Sequence, residues 1–399
     1  MHSQLMIDVR FDNPVREARI SGMNARALAE FRSCFPVTDR CVYLNHAGTG
    51  PLPVAAAEAI AALAERYCRE GDLPYLEGEA VLDEARGLAA GLMHLKPDSI
   101  AFTRNTSAGI ILAISAIPWE QGDNLVMMRD AFPTGTYPYH YLLPEVQKRE
   151  ISSSELACDP ERLFSLVDGR TRAVALDWVH FLSGAVVDIR TVVEFCRERG
   201  IWTIVDAMQG LGALDEDFGR VNADFVSAGA NKWLLGPQGI GVLAVSERAL
   251  ECMRPTNIGW LSARWESFED VFTPRPLRSG ASRLEEGTRN YLGGYGLRES
   301  LRILHRAGMP QVTRRIHELV QMLTAGIERL GWEVFKPAAA GPGAGIVACR
   351  LPGADMAGIF ARLRSQSVVC ALRQGWLRFS PHFYNSEEEI EVVCAALAG

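Results

Sequence analysis

Short apolar runs alternate along this chain with longer stretches of mixed polarity. Residues 201–205 form one such run and end on Asp206. A second run, 224–226, leads through small residues to Lys232, and a third, 241–245, follows a turn bearing Gly and Pro. Runs of this length predict buried strands. Upstream, 99–103, 124–128 and 171–179 predict further strands, and 106–117 and 188–200 predict helices, the latter closing on a glycine stop. Strands alternating with helices of about a dozen residues imply a mostly parallel sheet covered on both faces, an α/β fold.

The flanks carry other patterns. Residues 24–32 predict a helix, an Ala-rich helix starts near Ala55, and a long helical stretch runs from Gly296 to about Gly331. Strands at 345–350 and 367–372 and a helix at 386–397 predict a smaller α+β unit at the C-terminal end. The expected organisation is an arm over 1–45 packing on the small domain, a large α/β domain over 46–270, and a helical connection with the small domain over 271–399.

Composition narrows the function. The 399 residues are 48% hydrophobic and 22% charged, ordinary for a globular protein and enough for a large core. A net charge of −7, with no basic run, argues against nucleic acid as a partner. No run of about 18 apolar residues reads as a membrane span, and the opening residues lack the apolar centre of a signal peptide. The nine cysteines are scattered, odd in number and never spaced C-x-x-C, and the eight histidines form no H-x-x-x-H pair. Both patterns predict reduced thiols in a cytoplasmic protein with no structural metal.

An acid ending one strand and a lysine following the next converge at the carboxyl edge of a sheet, where open α/β folds place ligands. A lysine facing a carboxylate across a ring-shaped cofactor is the arrangement that pyridoxal phosphate chemistry requires. The amine forms a Schiff base, and the acid keeps the pyridine nitrogen protonated. Upstream, Thr103-Arg-Asn-Thr-Ser-Ala-Gly109 follows a strand and opens a helix, so free N–H groups and the hydroxyls of Thr106 and Ser107 form a candidate phosphate cradle.

The D-x-x-Q of Asp206 and Gln209, followed by A-N-K-W-L-L-G-P-Q-G-I-G from Ala230, resembles the class V aminotransferase family. Further motifs carry the resemblance from about Tyr43 to Asn385. It implies a fold-type I, pyridoxal 5'-phosphate-dependent transferase fold and a lysine attachment at Lys232. By the same resemblance, Thr106 and Ser107 hold the phosphate, Phe132 in A-F-P-T-G-T-Y-P stacks on the ring, Asp206 meets the ring nitrogen and Gln209 the ring hydroxyl. The family often has Ser-x-His-Lys where this chain has Gly229-Ala230-Asn231-Lys232, so Asn231 replaces a histidine with a side chain that hydrogen-bonds but does not titrate. Thr288, in a segment similar to the family's E-x-G-T, is expected to reach a neighbouring subunit's phosphate, which implies a homodimer with shared sites. Arg378, in R-F-S-P-H-F-Y-N, is expected to bind a substrate α-carboxylate, with Arg373 as the fallback. His180 is a candidate substrate-side acid or base, with a hydrogen-bonded structural histidine as the alternative. Asn45 and His46 stand in the same way between substrate contact and loop structure.

These residues predict an enzyme acting at the Cα of an amino acid, with Lys232 as the base. A class V aminotransferase is the leading expectation. A C–S (cysteine-conjugate) β-lyase or an amino-acid epimerase is the alternative, and a non-catalytic cofactor-binding protein is the rival of another class. Desulfurases place a nucleophilic cysteine on a loop between the Arg373 and Arg378 positions. Here that insertion is missing and Cys370 lies inside a strand pattern, which disfavours persulfide chemistry.

Overall fold

A computed structural model describes residues 25–265, 270–335 and 343–399. The described chain opens with the helix Ala25–Ser33 and a two-residue strand, β1 (Val42–Tyr43). The large sheet follows: β2 (Ile100–Thr103), β3 (Asn124–Met128), β4 (Gln147–Ile151), β5 (Thr171–Asp177), β6 (Trp202–Asp206), β7 (Phe225–Gly229) and β8 (Gly241–Val245). Their spatial order is β2-β8-β7-β6-β5-β3-β4. The neighbours β4, β3, β5, β6 and β7 run parallel, and β8 alone runs against both of its partners.

Every residue of β3, β6, β7 and β8 is buried, because helices cover both faces of the sheet. This double cover is why these strands read as continuous apolar runs. The helix Thr106–Ala116 (TSAGIILAISA) is apolar nearly all round and packs over the face built from Ala101, Leu125, Ile204, Phe225 and Leu243. The edge strand β4 is QKREI, partly exposed, and carries no apolar run to announce it.

Two expectations need correction. The single helix expected over 296–331 is two, Tyr291–Ala307 and Met309–Arg329, broken at Gly308. Gly308 takes φ +78°, which favours glycine, and Pro310 then occupies the first turn of the second helix. The strand expected over 367–372 is also two pieces. β11 (Val368–Val369) pairs in parallel with β1, whereas β12 (Ala371–Arg373) pairs antiparallel with β13 (Trp376–Phe379). With β9 (Glu333–Val334) and β10 (Val347–Arg350) the second sheet runs β12-β13-β10-β9.

The residues after Ala25 lie against the chain's last fifty. Arg32 pairs with Glu389 at 2.9 Å, and the ring of Phe35 stacks on Tyr384 with centroids 3.9 Å apart. Among the described residues no helix is long and apolar enough to cross a membrane.

A buried ionic cluster holds β2, and so the start of the helix that follows it. Glu285, with its side chain 3% exposed, accepts from Arg86 Nη1 at 2.6 Å, Arg289 Nε at 2.6 Å and the Phe102 N–H at 2.9 Å. Arg86 also donates to the Ile100 carbonyl at 2.6 Å. Removing the shared carboxylate leaves the desolvated Arg86 with only a distant acid, Asp83 at 3.8 Å, and Arg289 with Glu79 alone. Glu285→Ala should therefore lower the unfolding free energy by about 3 kcal/mol, read as a lower denaturant midpoint at unchanged slope.

Candidate active site

The carboxyl ends of β5 and β6 put two acids side by side, Asp177 opposite Asp206 in the strand pairing. The loop leaving β7 folds back tightly: the Ala230 N–H donates to Ile240 and the Gly236 N–H to Ala230. That fold turns Lys232 into the same cavity, which has a volume of about 260 Å³. Gly50 locks the loop from the other side. Its N–H donates to the Asn231 carbonyl at 2.8 Å, and a Cβ there would overlap the Lys232 carbonyl oxygen.

Burial sets the charges. Desolvation, the largest influence, pulls the Lys232 amine down to about 8, with Asp206 opposing and the positive charge of Arg378 assisting. Desolvation likewise pushes Asp206 up to about 6, against the Met208 N–H that donates to it at 2.8 Å and the charge of Lys232. Burial first, then the charge of Asp206, push Asp177 well above the usual carboxylate range. Burial thus moves both proton affinities toward neutral pH, the amine downward and the carboxyl upward. Each biases the other's proton, yet among the described residues no carboxylate comes within 4.0 Å of the lysine nitrogen.

The helix start is docked on β7. Thr106 Oγ1 accepts the Gly229 N–H at 2.8 Å, and Ser227 Oγ donates to the Thr106 carbonyl at 3.1 Å. Asn105 caps the helix by accepting the Ala108 N–H at 2.9 Å, leaving the first N–H groups facing the cavity. Ser107 Oγ lies 2.8 Å from Thr134 Oγ1. Phe132, 45% exposed, leans edge-on to Phe181 at 5.5 Å, and the Lys232 nitrogen sits 5.5 Å from its ring centre. Gln209 accepts from Trp233 Nε1 at 2.9 Å and donates to the Ala47 carbonyl at 3.1 Å, which leaves one amide N–H free for the cavity.

Of the residues expected at the site, Lys232, Asp206, Gln209, Asn231, Thr106, Ser107, Phe132 and Arg378 line this one cavity. Arg378 is buried on β13; its Nη1 donates to the Phe181 carbonyl at 2.7 Å, and its Nε is buried with no partner. Thr288 is exposed on a turn and does not line this cavity.

The structure does not bring His180 to the cavity. Its Nδ1 lies 2.8 Å from Ser183 Oγ and its Nε2 3.0 Å from the Asp130 carbonyl, so both nitrogens are spent on folding its loop, and the neighbouring Phe181 lines the cavity instead. His46 is also turned inward, 2.8 Å from the Ser380 carbonyl and 2.6 Å from Tyr384 Oη. Ala47 and Gly48 take the lining positions next to it. Asp177, Thr134, Asn105 and Phe181 also line the cavity, without a role assigned from the sequence. Asp177 closes β5 as Asp206 closes β6, but the apolar pattern carries the expected strand on to 179 and hides it.

The residues present fit pyridoxal phosphate. One cavity holds a desolvated amine, an opposed desolvated acid, an uncovered aromatic face and a helix start with free N–H donors, with open space between amine and acid.

The aminotransferase class-V family model matches residues 42–393, and the chain belongs to that family. The cofactor is pyridoxal 5'-phosphate. The isopenicillin N epimerase of Streptomyces clavuligerus is 29% identical over 376 residues, covering 89% of this chain and 94% of the relative. Among solved structures, an apo cysteine desulfurase from Thermococcus onnurineus NA1 shares the fold with a TM-score of 0.83 at 23% identity, covering 93% of this chain and 97% of that one. The cystine C–S lyase C-DES in complex with cysteine persulfide gives 0.84 at 23% identity, covering 91% and 99%.

Proton affinity at Lys232 yields a measurable consequence. A protonated amine cannot capture an aldehyde, so borohydride-fixable uptake of the cofactor by the apoprotein should quicken about tenfold per pH unit below pH 8 and level off above it. Asp206 raises the lysine's affinity for its proton, so Asp206→Asn should move the start of the plateau to lower pH. Stopped-flow uptake at a series of pH values measures both.

Proposed function

We propose that this chain is an aminotransferase that works at the Cα of an amino acid with one proton-transferring group, Lys232. The observation that carries the reading is the make-up of the cavity wall. Among the described residues lining it there is no cysteine, histidine or tyrosine, and Lys232 is the one amine. Cys370 lies outside it, buried, with its thiol pushed up to about 12 by burial. That supports neither a persulfide-forming nucleophile nor a second base on the Phe132 side of the kind a two-base epimerisation uses.

Bound pyridoxal phosphate supplies an electron sink for the negative charge that develops at Cα. The first N–H groups of the helix Thr106–Ala116, with Thr106 and Ser107, would hold its phosphate. Phe132 would pack its ring, and Asp206, ionised above about pH 6, would hold the proton on its nitrogen. Arg378 offers Nε and Nη2, the edge left free when Nη1 donates to Phe181, as a two-pronged fit to a substrate α-carboxylate. A carboxylate fixed there restricts rotation about Cα, so that one bond is presented to Lys232. Lys232, its proton affinity lowered by burial, would take the Cα proton and deliver it to the aldehyde carbon of the cofactor. A group that both takes and returns a proton is what amino-group transfer needs.

Two further features accompany this reading. Thr288 lies outside this cavity, and its segment's resemblance to the family's E-x-G-T supports a homodimer in which it would serve the neighbour's phosphate. Nine free cysteines support a reducing, cytoplasmic setting.

Lys232→Ala should abolish borohydride-fixable cofactor and lower turnover about a thousandfold. Arg378→Gln should raise KM for the amino acid and lower kcat too, since the same contact both binds the carboxylate and orients the bond at Cα. The test of reaction type follows keto acid, ammonia, thiol and the configuration at Cα together across an amino-acid panel. Keto acid formed one-for-one with amination of an added keto acid upholds the proposal. Ammonia with released thiol, or inverted configuration alone, replaces it by elimination or epimerisation.

A further inference from the structure

The hairpin β12–β13 carries two guanidinium groups to the cavity. Arg378 pairs with Ala371 and Arg373 with Trp376, so the two arginines stand on one face of the hairpin as diagonal neighbours. Among the described residues neither has a carboxylate within 4.0 Å; Arg373 makes only a local bond, donating to the Leu372 carbonyl at 3.0 Å. Both positive charges reach Lys232 and lower its affinity for a proton. An arginine kept at a cavity wall without an internal anion is a receptor for an external one.

One carboxylate does not need both. Arg378, deep and buried, keeps its Nε and Nη2 edge for the α-carboxylate. Arg373 is exposed and stands nearer solvent, where the far end of a side chain would lie. The carboxylates of the cavity, Asp177 and Asp206, belong to the sheet edge, on elements other than this hairpin.

Building on the proposed action at Cα, we propose that Arg373 forms a second anion subsite, and that the substrate is an amino acid whose side chain ends in a carboxylate. Arg378 then takes the α-carboxylate and Arg373 the distal one. The exposed Arg373 side chain accepts a range of chain lengths, whereas its fixed charge rejects cationic side chains.

The test uses the holoenzyme and unreactive acids. Dissociation constants are measured by calorimetry for succinate, glutarate and adipate against butyrate, valerate and hexanoate. The dicarboxylates should bind about tenfold more tightly than monocarboxylates of equal length, and Arg373→Gln should erase that difference by weakening the dicarboxylates, with Arg373→Lys restoring part of it. Equal affinities for the two series in the unaltered enzyme, no binding of either, or a preference that survives Arg373→Gln would overturn the subsite. Cofactor attachment at Lys232, read by mass after borohydride, is scored in the same samples. Its loss counts against the Lys232 reading, whereas intact attachment without a dicarboxylate preference counts against Arg373 alone.

Discussion

Two opposite charges deprived of water and held apart form the centre of this protein. Lys232 and Asp206 sit at one end of a sheet whose strands are buried on both faces, and each is moved from its ordinary proton affinity mainly by burial. Direct contact would have let them neutralise each other and fill the space with a salt bridge. Keeping them separate leaves each charge only partly offset by the other, which costs stability but preserves their reactivity. The surrounding structure supplies the rigidity needed to hold that arrangement.

That rigidity comes from backbone closures and from side-chain bonds between neighbouring elements. The Lys232 loop is closed by bonds between Ala230, Gly236 and Ile240 and pressed by Gly50, a residue nearly two hundred positions earlier. The helix start opposite is tied to β7 through Thr106 and Ser227, and Gly109 is the small residue that lets Ser227 approach. Gln209 joins the two sides by linking Trp233 to Ala47. A wall cross-linked this way presents a ligand with donors already in place.

Residues whose role follows from position along a strand were legible in the sequence. Asp206 closes an apolar run and Lys232 follows the next, and both signals survive without any knowledge of packing. The central strands were legible for the same reason, since burial on both faces leaves an apolar run. β4 was not, because an edge strand with charged residues has no such run. His180 illustrates a second limit: adjacency in sequence to Phe181 did not reveal which of the two rings faces the cavity, and the loop settles that by spending both histidine nitrogens on Ser183 and Asp130. Asp177 shows a third, since an acid's partnership with Asp206 depends on strand order, which local pattern does not contain. The break at Gly308 was visible as a glycine followed within two residues by proline, but the helical periodicity on either side masked it.

The joining of the first and last parts of the chain has a consequence for how the protein is made. Asn45 bridges to Ser380, β1 lies along β11, and Arg378 enters the cavity from the closing stretch. Synthesis runs from the N-terminal side, so Lys232 and Asp206 are laid down before Arg378, and the cavity wall is complete only once that later hairpin has docked.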